Sequence, residues 1–300
     1  MFKLKKYLKN YKKELILGPI FKLVEAIFEL IVPLVMAKII DVGIKSQDVN
    51  YILKMGGVMV ILGAVGLCSA LTCQFLASRA SQGFGTDVRN DLFRHINTLS
   101  HAEIDEIGTS SMITRITNDV NQLQTAVAML IRLVIRAPFL VIGATVMSFF
   151  LDVKLSLIFL FIIPLVAVVL YQIMTKSIPF YRVIQKKLDK ISLITGENLK
   201  GARVIRSFSK QDAENERFLA ASNDHMQTSI SVGKISALLN PLTYLIMNFA
   251  ILAIIWFGGM RVDGGAMTQG EIIAFVNYMS QILLALVVVA NLVVTFTKAA

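Results

Sequence analysis

The sequence predicts an all-α membrane protein with six long transmembrane helices and two helical hairpins on the cytoplasmic side. Three observations carry that prediction. Of 300 residues, 55% are hydrophobic and only 17% charged, with a mean hydropathy of +0.67, whereas about a quarter of the residues in a soluble domain are charged. The apolar residues fall in long runs, and crossing a hydrocarbon core of about 30 Å takes roughly 20 helical residues. Finally, the net charge of +10 is distributed unevenly along the chain.

The spans follow in order. The first, 15–40, comes after a lysine-rich start (Lys3, Lys5, Lys6, Lys9, Lys12, Lys13) and is apolar except for Lys22, Glu25, Glu29 and Lys38. Its length and internal charges do not suit the short, uncharged apolar region of a cleaved signal peptide, so it reads as a retained span. The second, 55–78, is uncharged. The third, 126–151, carries Arg132 and Arg136 at its cytoplasmic end and closes on the polar turn Asp152-Val153-Lys154. The remaining three are 155–175, 235–260 and 272–297.

Segments 79–125 and 176–234 read as hairpins rather than loops. Phe84, Val88, Leu92, Ile96 and Leu99 recur at helical spacing, which marks one face of a helix that continues the second span. A helix from 55 to about 100 is roughly 69 Å long, more than twice the hydrocarbon thickness. After the fourth span, Ile184, Leu188, Ile191 and Ile194 or Thr195 form a similar stripe, and a further helix after Gln211 leads into the fifth span. The periodicity breaks at Glu106–Ser111, where Gly108 permits a turn and Thr109, Ser110 and Ser111 can cap the next helix, and again around 197–208. Apolar side chains at the end of a long lever call for a partner surface. A soluble domain docking there is one explanation; tips packing only on each other is the other.

The Lys/Arg distribution sets the orientation. Six basic residues lie in the N-terminal tail, six in 79–136, eleven in 176–234, and Lys298 adds one, so 24 of 30 share a side. By the positive-inside rule that side is cytoplasmic, with both termini, in an integral multi-pass protein of the cell membrane. The basic excess therefore reports topology, and no nucleic-acid partner is expected.

Ile104 through Val120 carries Ile-Asp-x-x-Gly, then Arg115, Asn118, Asp119 and Val120; the second tip reads Glu197…Gly201-x-Arg203-Val204-x-Arg206-Ser207-Phe208, followed by Glu214 and Arg217-Phe218. Both strings resemble the intracellular loops of type I ATP-binding-cassette (ABC) exporters, and the likeness extends over essentially all 300 residues as one transmembrane domain. The resemblance implies that the tips are coupling helices seated on nucleotide-binding domains, with Ser111, Arg115 and Thr117 in the first and Lys200, Arg203, Arg206 and Phe208 in the second. It also implies a second transmembrane half as homo- or heterodimer, an amphipathic cargo of the drug, lipid or peptide kind, and an ATP-hydrolysing assembly. ATP and Mg would belong to the nucleotide-binding domain, because these residues hold no G-x-x-x-x-G-K-[ST] loop and no catalytic, cofactor or metal site. The nearest fragment, Gly233-Lys234-Ile235-Ser236, departs from that pattern at both ends. The chain reads as part of a longer protein, or else as a subunit whose ATPase is separate.

Several residues qualify for a cargo cavity. Lys22, Glu25 and Glu29 share one face of the first helix, and a charge facing lipid would cost about 3 kcal/mol, so the face looks inward. It is either a cavity wall or a structural ion pair of Lys22 with Glu25 or Glu29. Asn240, Tyr244 and Asn248 in the fifth span, and Asn277, Gln281, Asn291 and Thr295 in the sixth, form polar stripes that suit a wet pathway or interhelical hydrogen bonds. Pro19, Pro33, Pro138, Pro164 and Pro241 mark kinks in or beside spans. Cys68 and Cys73 read as small core residues, and His95, His101 and His225 as surface residues. The competing function is an ion-coupled secondary transporter with Glu25 and Glu29 as proton carriers; a scaffold or sensor that moves nothing is a third.

Overall fold

The computed structural model describes residues 5–299; of these, the side chains of residues 5, 290, 291 and 293–299 lie outside the description. The described residues contain helices and turns, and no strand. The helices are α1 (Lys5–Leu8), α2 (Lys12–Lys38), α3 (Val49–Ile96), α4 (His101–Ile107), α5 (Thr109–Thr114), α6 (Val120–Arg132), α7 (Arg136–Leu151), α8 (Val153–Lys200), α9 (Ala202–Ser207), α10 (Gln211–Ala237), α11 (Leu239–Asp263) and α12 (Gln269–Ala299). A 3-10 turn, Lys9–Tyr11, joins α1 to α2, and π-helical turns at Ile39–Ile44 and Arg115–Asp119 follow α2 and α5.

Among the described residues, five helical stretches are long and apolar enough to cross a membrane: Val49–Ile96, Thr109–Leu151, Val153–Lys200, Gln211–Asp263 and Gln269–Val289. Helix α2 is long enough, but its charged residues Lys22, Glu25 and Glu29 interrupt the apolar run that such a span needs. The 48 residues of α3 follow an N-cap, Asp48, whose carboxylate accepts the Tyr51 backbone N–H at 3.0 Å. At about 1.5 Å per residue the helix is roughly 72 Å long, so it continues well past any bilayer.

Two breaks in the long helices have one cause. Proline lacks the N–H that would bond the carbonyl four residues back, and its ring crowds that carbonyl. For Pro138 the carbonyl is that of Val134, and helicity lapses between Arg132 and Arg136; for Pro241 it is that of Ala237, where α10 ends. Pro19, Pro33 and Pro164 sit inside continuous helices, as does Pro179, which the sequence did not single out.

The chain divides into two compact units, Met1–Ile163 with Met247–Ala300, and Pro164–Ile246. In the first, Ala77, Ala80, Phe84 and Val88 of α3 pack on Val120, Val127 and Ile131 of α6 and its cap, with Tyr7, Leu8, Tyr11 and Leu15 closing over them. Beside this apolar core lies a polar clamp. Arg89 donates to Asn121 at 2.6 Å and Gln124 at 3.0 Å, and Gln124 donates to Gln82 at 3.0 Å. The clamp needs Gly85, because a Cβ there would overlap the Gln124 side chain. Toward the other end, Phe159 meets Phe275 at 5.6 Å between ring centroids, and the buried Tyr278 hydroxyl donates to the Leu30 carbonyl at 2.8 Å.

In the second unit Ile194, Ala221 and Val232 are buried. The limbs α8 and α10 are joined by Lys187, which donates to Asp224 and Thr228 at 2.6 Å each, and by the Arg217–Glu197 ion pair at 2.8 Å. The stripe expected on α8 is corrected here. Leu188 is exposed and the stem of Lys187 takes its place on the inner face, and Ile194 rather than Thr195 faces inward. Lysine can do this because its methylene stem packs while its ammonium reaches an acid. A second correction concerns the cysteines: Cys73 is buried as expected, but Cys68 is exposed.

Candidate functional site

The first tip is built from two cap devices. Ser100 accepts from the Glu103 backbone N–H, and the Glu103 carboxylate accepts from the Ser100 backbone N–H at 2.7 Å, so α4 starts on a reciprocal capping box. That bond holds the Glu103 carboxyl below the usual carboxylate range. Gly108, at φ 81° and ψ 134°, then turns the chain from α4 into α5 in a region that side-chain-bearing residues avoid. Met112 is buried at 7% exposure and anchors α5 to its own unit. Of the expected contact residues, Ser111 is half-buried while Arg115 and Thr117 are exposed, and the Thr117 hydroxyl bonds the Ile113 carbonyl at 2.7 Å. Ile113, Arg115 and Thr117 therefore form the open side of the turn.

The second tip has no such anchor. Helix α9 buries none of its residues. Lys200, Arg203, Arg206 and Phe208 are all exposed, and Leu199, Val204 and Phe208 show 76%, 60% and 72% of their surface. Cationic and apolar side chains are thus interspersed over the largely exposed residues 199–208, from the end of α8 to the C-cap of α9, a mixture that suits a groove with acidic rims and an apolar floor.

Within the first unit, Lys22, Glu25 and Glu29 of α2 are all paired. Lys22 donates to both Glu25 oxygens at 2.8 and 2.6 Å, and Arg136 pairs with Glu29 at 2.7 Å and stands 4.0 Å from Glu25. Of the two readings left open, the ion pair with Lys22 falls to Glu25, while Glu29 takes a partner 107 residues away. Nothing local in the sequence announces that second pair. Gln281 donates to the Glu29 backbone carbonyl at 3.2 Å, and a cavity of about 80 Å³ opens among Glu29, Arg136, Gln281, Leu133, Leu140 and Leu284. Two buried polar atoms on its walls, Arg136 Nε and Gln281 Oε1, have no hydrogen-bond partner. The space is therefore mixed in chemistry, with one unused donor, one unused acceptor and apolar walls.

The other polar candidates are spread out. Asn277 is exposed and bonds the Ile273 carbonyl of its own helix at 2.9 Å. Asn248, in the first unit, and Asn240 and Tyr244, in the second, are exposed. The side chains of Asn291 and Thr295 lie outside the described residues. Among the described residues no group of three or more His, Cys, Asp or Glu is placed to hold a metal ion.

Two features of the first unit were not anticipated. Asp41 accepts from the Thr268 hydroxyl at 2.6 Å and from the Gly270 backbone N–H at 2.9 Å, so a carboxylate from the end of the first helix caps α12. A Cβ on Gly270 would collide with the Ala37 carbonyl and with Asp41. Asp152 is nearly buried; it caps α8 through the Leu155 N–H at 2.8 Å and pairs with Arg261, whose Nε lies 2.9 Å away. The Thr268-x-x-Glu271 capping box was a legible helix start.

Comparison with known proteins adds a second line of observation. The family model for the ABC transporter transmembrane region matches residues 15–286. An uncharacterized ABC transporter ATP-binding protein of Mycobacterium tuberculosis is 33% identical over 282 residues, 94% of this chain and 48% of that protein. YfiB of Bacillus subtilis, also an uncharacterized ABC transporter ATP-binding protein, is 33% identical over 293 residues, 98% of this chain and 51% of its own length. An ATP-dependent lipid A-core flippase of Hahella chejuensis is 26% identical over 221 residues, 74% of this chain and 37% of the flippase. The chain thus spans about half the length of the first two relatives.

Proposed function

The chain belongs to the ABC transporter transmembrane region family, and from that premise we propose that it is the cargo-translocating part of an ATP-driven exporter. The observation that carries the reading is the second tip, where Leu199, Val204 and Phe208 are exposed beside Lys200, Arg203 and Arg206. Such a surface gains by docking on a folded partner, and a nucleotide-binding domain, holding ATP and Mg outside these residues, is the partner the family supplies.

In this reading residues 1–300 are one transmembrane domain with six crossings, α2 being the sixth that composition alone leaves out. Its charges are tolerable in a bilayer because each carboxylate has a cation within ion-pair distance. The hairpins 79–125 and 176–234 and both termini are cytoplasmic, on the strength of the Lys/Arg bias. ATP-driven movement of the nucleotide-binding domains is passed through Ser111, Arg115 and Thr117 at one tip and Lys200, Arg203, Arg206 and Phe208 at the other. Rigid levers such as the 48-residue α3 and α8 carry it into the membrane. A second half, as homo- or heterodimer, faces Asn240, Tyr244, Asn248 and Asn277, which a single chain leaves exposed. Glu25, Glu29, Gln281 and Asn291 are the proposed cavity wall. The unused Arg136 Nε and Gln281 Oε1 suit an amphipathic cargo that offers both an acceptor and a donor.

The ion-coupled rival is disfavoured, because the family model that matches the chain is that of ABC transporters and because Glu25 and Glu29 are engaged in ion pairs with Lys22 and Arg136. The test is cargo-stimulated ATPase in the full-length assembly, over a panel of amphipathic drugs, lipids and peptides. At least one class is expected to stimulate severalfold, and Glu29→Gln to reduce that stimulation. If Glu25→Gln and Glu29→Gln both leave stimulation and transport unchanged, the cavity role is lost; if nothing stimulates, the exporter reading itself fails.

A further inference from the structure

The N-terminal segment ahead of the first span has two faces. Tyr7, Leu8, Tyr11 and Leu15 turn inward onto the α3–α6 core, and Tyr7 sets its ring edge-on against Phe84 at 6.4 Å between centroids. Lys6, Lys9, Lys12 and Lys13 are exposed.

The acids that would balance this face already have partners. Asp91 accepts from the Tyr7 hydroxyl at 2.8 Å and stands 3.7 Å from Lys6; Asp87 accepts from Asn10 at 3.5 Å; Glu14, mostly buried, pairs with Arg79 at 3.5 Å. Around them Arg79 and Arg94 are largely exposed. Lys6, Arg79 and Arg94 are the cations these carboxylates pair with, Arg94 standing 3.7 Å from Asp91, so Lys9, Lys12 and Lys13 are left with no ion pair among the described residues. The segment is also fixed in place. A Cβ on Gly83 would overlap the Tyr11 ring, so α3 needs glycine there to let the segment lie close.

We propose that this face is a docking surface for the headgroups of anionic phospholipids. Charge complementarity selects an anion, and position selects a lipid. Lys9, Lys12 and Lys13 lie within about 10 Å, measured along the helix, of residue 15, where the apolar run begins, so their ammonium groups sit at headgroup depth. Clusters of lysine next to a membrane span attract anionic lipid additively. Because Tyr7 and Lys6 hold Asp91, five residues from the end of α3 that leads to the first tip, lipid bound here steadies that part of the lever. The inference rests on residues 15–40 being a span, not on the identity of the cargo.

The test uses full-length protein in detergent, equilibrated with mixed vesicles of phosphatidylcholine and phosphatidylglycerol at equal amounts, washed, and scored by the phospholipid retained per protein. The wild type is expected to retain several times more phosphatidylglycerol than phosphatidylcholine, with the excess falling as salt rises. The triple variant Lys9→Gln/Lys12→Gln/Lys13→Gln should bring that preference down to near parity, and the triple Lys→Arg variant should keep it. All three lysines are exposed, so an unchanged thermal midpoint checks that the triple Gln variant folds. Equal retention of the two lipids by the wild type, or an undiminished preference in the folded triple Gln variant, overturns the proposal. Cargo-stimulated ATPase is not part of this readout, so the exporter reading can fail while lipid retention stands.

Discussion

In the first hairpin tip Met112 is turned inward and Gly108 and Ser100 fix the path of the chain; in the second, α9 buries nothing and Phe208 stands out at the turn. The tips sit at the ends of comparable levers, yet one is held by its own unit and the other is held only by its helix. The difference teaches where the folding energy of each tip comes from. The first is stabilised within the chain and presents Ile113, Arg115 and Thr117 as a small open edge. The second leaves its apolar surface exposed, and in the proposed function a docking partner covers it.

Substitutions sharpen this contrast, and the largest effect belongs to the second tip. Charge reversal, Arg203→Glu or Arg206→Glu, is expected to lower transport by at least tenfold at near-normal basal ATPase, because the lost contact transmits rather than catalyses; parallel transport and ATPase assays on the full-length protein check it. Normal coupling in both variants would remove the docking assignment. Next comes truncation of the apolar side chains. Met112→Ala should lower stability by about 2 kcal/mol in thermal or denaturant unfolding, whereas Phe208→Ala should change it by less than about 0.5 kcal/mol while weakening association with the nucleotide-binding domain by about 2 kcal/mol. The comparison breaks if the two stability effects come out equal.

Gly108→Ala tests the turn itself. No atom obstructs a Cβ there, so the expected loss of about 1–2 kcal/mol is purely backbone strain at φ 81°. The smallest effect is at the capping box, where Ser100→Ala should speed amide exchange at residues 101–104 by roughly fivefold at neutral pH. Glu103 titrates below its ordinary value. Its contribution is therefore complete above the unfolded carboxylate range and is lost as pH falls through the depressed folded value. The difference between wild type and Ser100→Ala should accordingly shrink below about pH 4.

Much of the fold could be read from periodicity. Phe84 and Val88 face the core as their spacing implied, and the turns at Gly108 and around 201 lie where helical repeats fail. Pattern reading misjudged Leu188, because hydrophobicity scales give no credit to the stem of Lys187, and it misjudged Cys68, because a membrane helix can show small residues outward. The pairings hardest to foresee join distant positions: Glu29 to Arg136, Asp152 to Arg261, Asp41 to the start of α12. Each residue was visible as a charge near a membrane, but a partner more than a hundred positions away is chosen by packing and leaves no trace in spacing. The residues proposed as contacts at the tips were singled out by resemblance to the loops of a known family, and in the structure they lie on largely exposed turns of mixed chemistry.

The Asp41 cap on α12 bears on how the chain is made. Asp41 and Gly270 are 229 residues apart, so at about 5–20 residues per second the acceptor waits at least ten seconds for its donor during synthesis. Throughout that interval the Asp41 carboxylate lacks both of these donors, and α12 supplies them when it emerges. A nascent chain stalled before Thr268 therefore lacks the tie between Asp41 and the start of α12 that a chain extended past Gly270 can form.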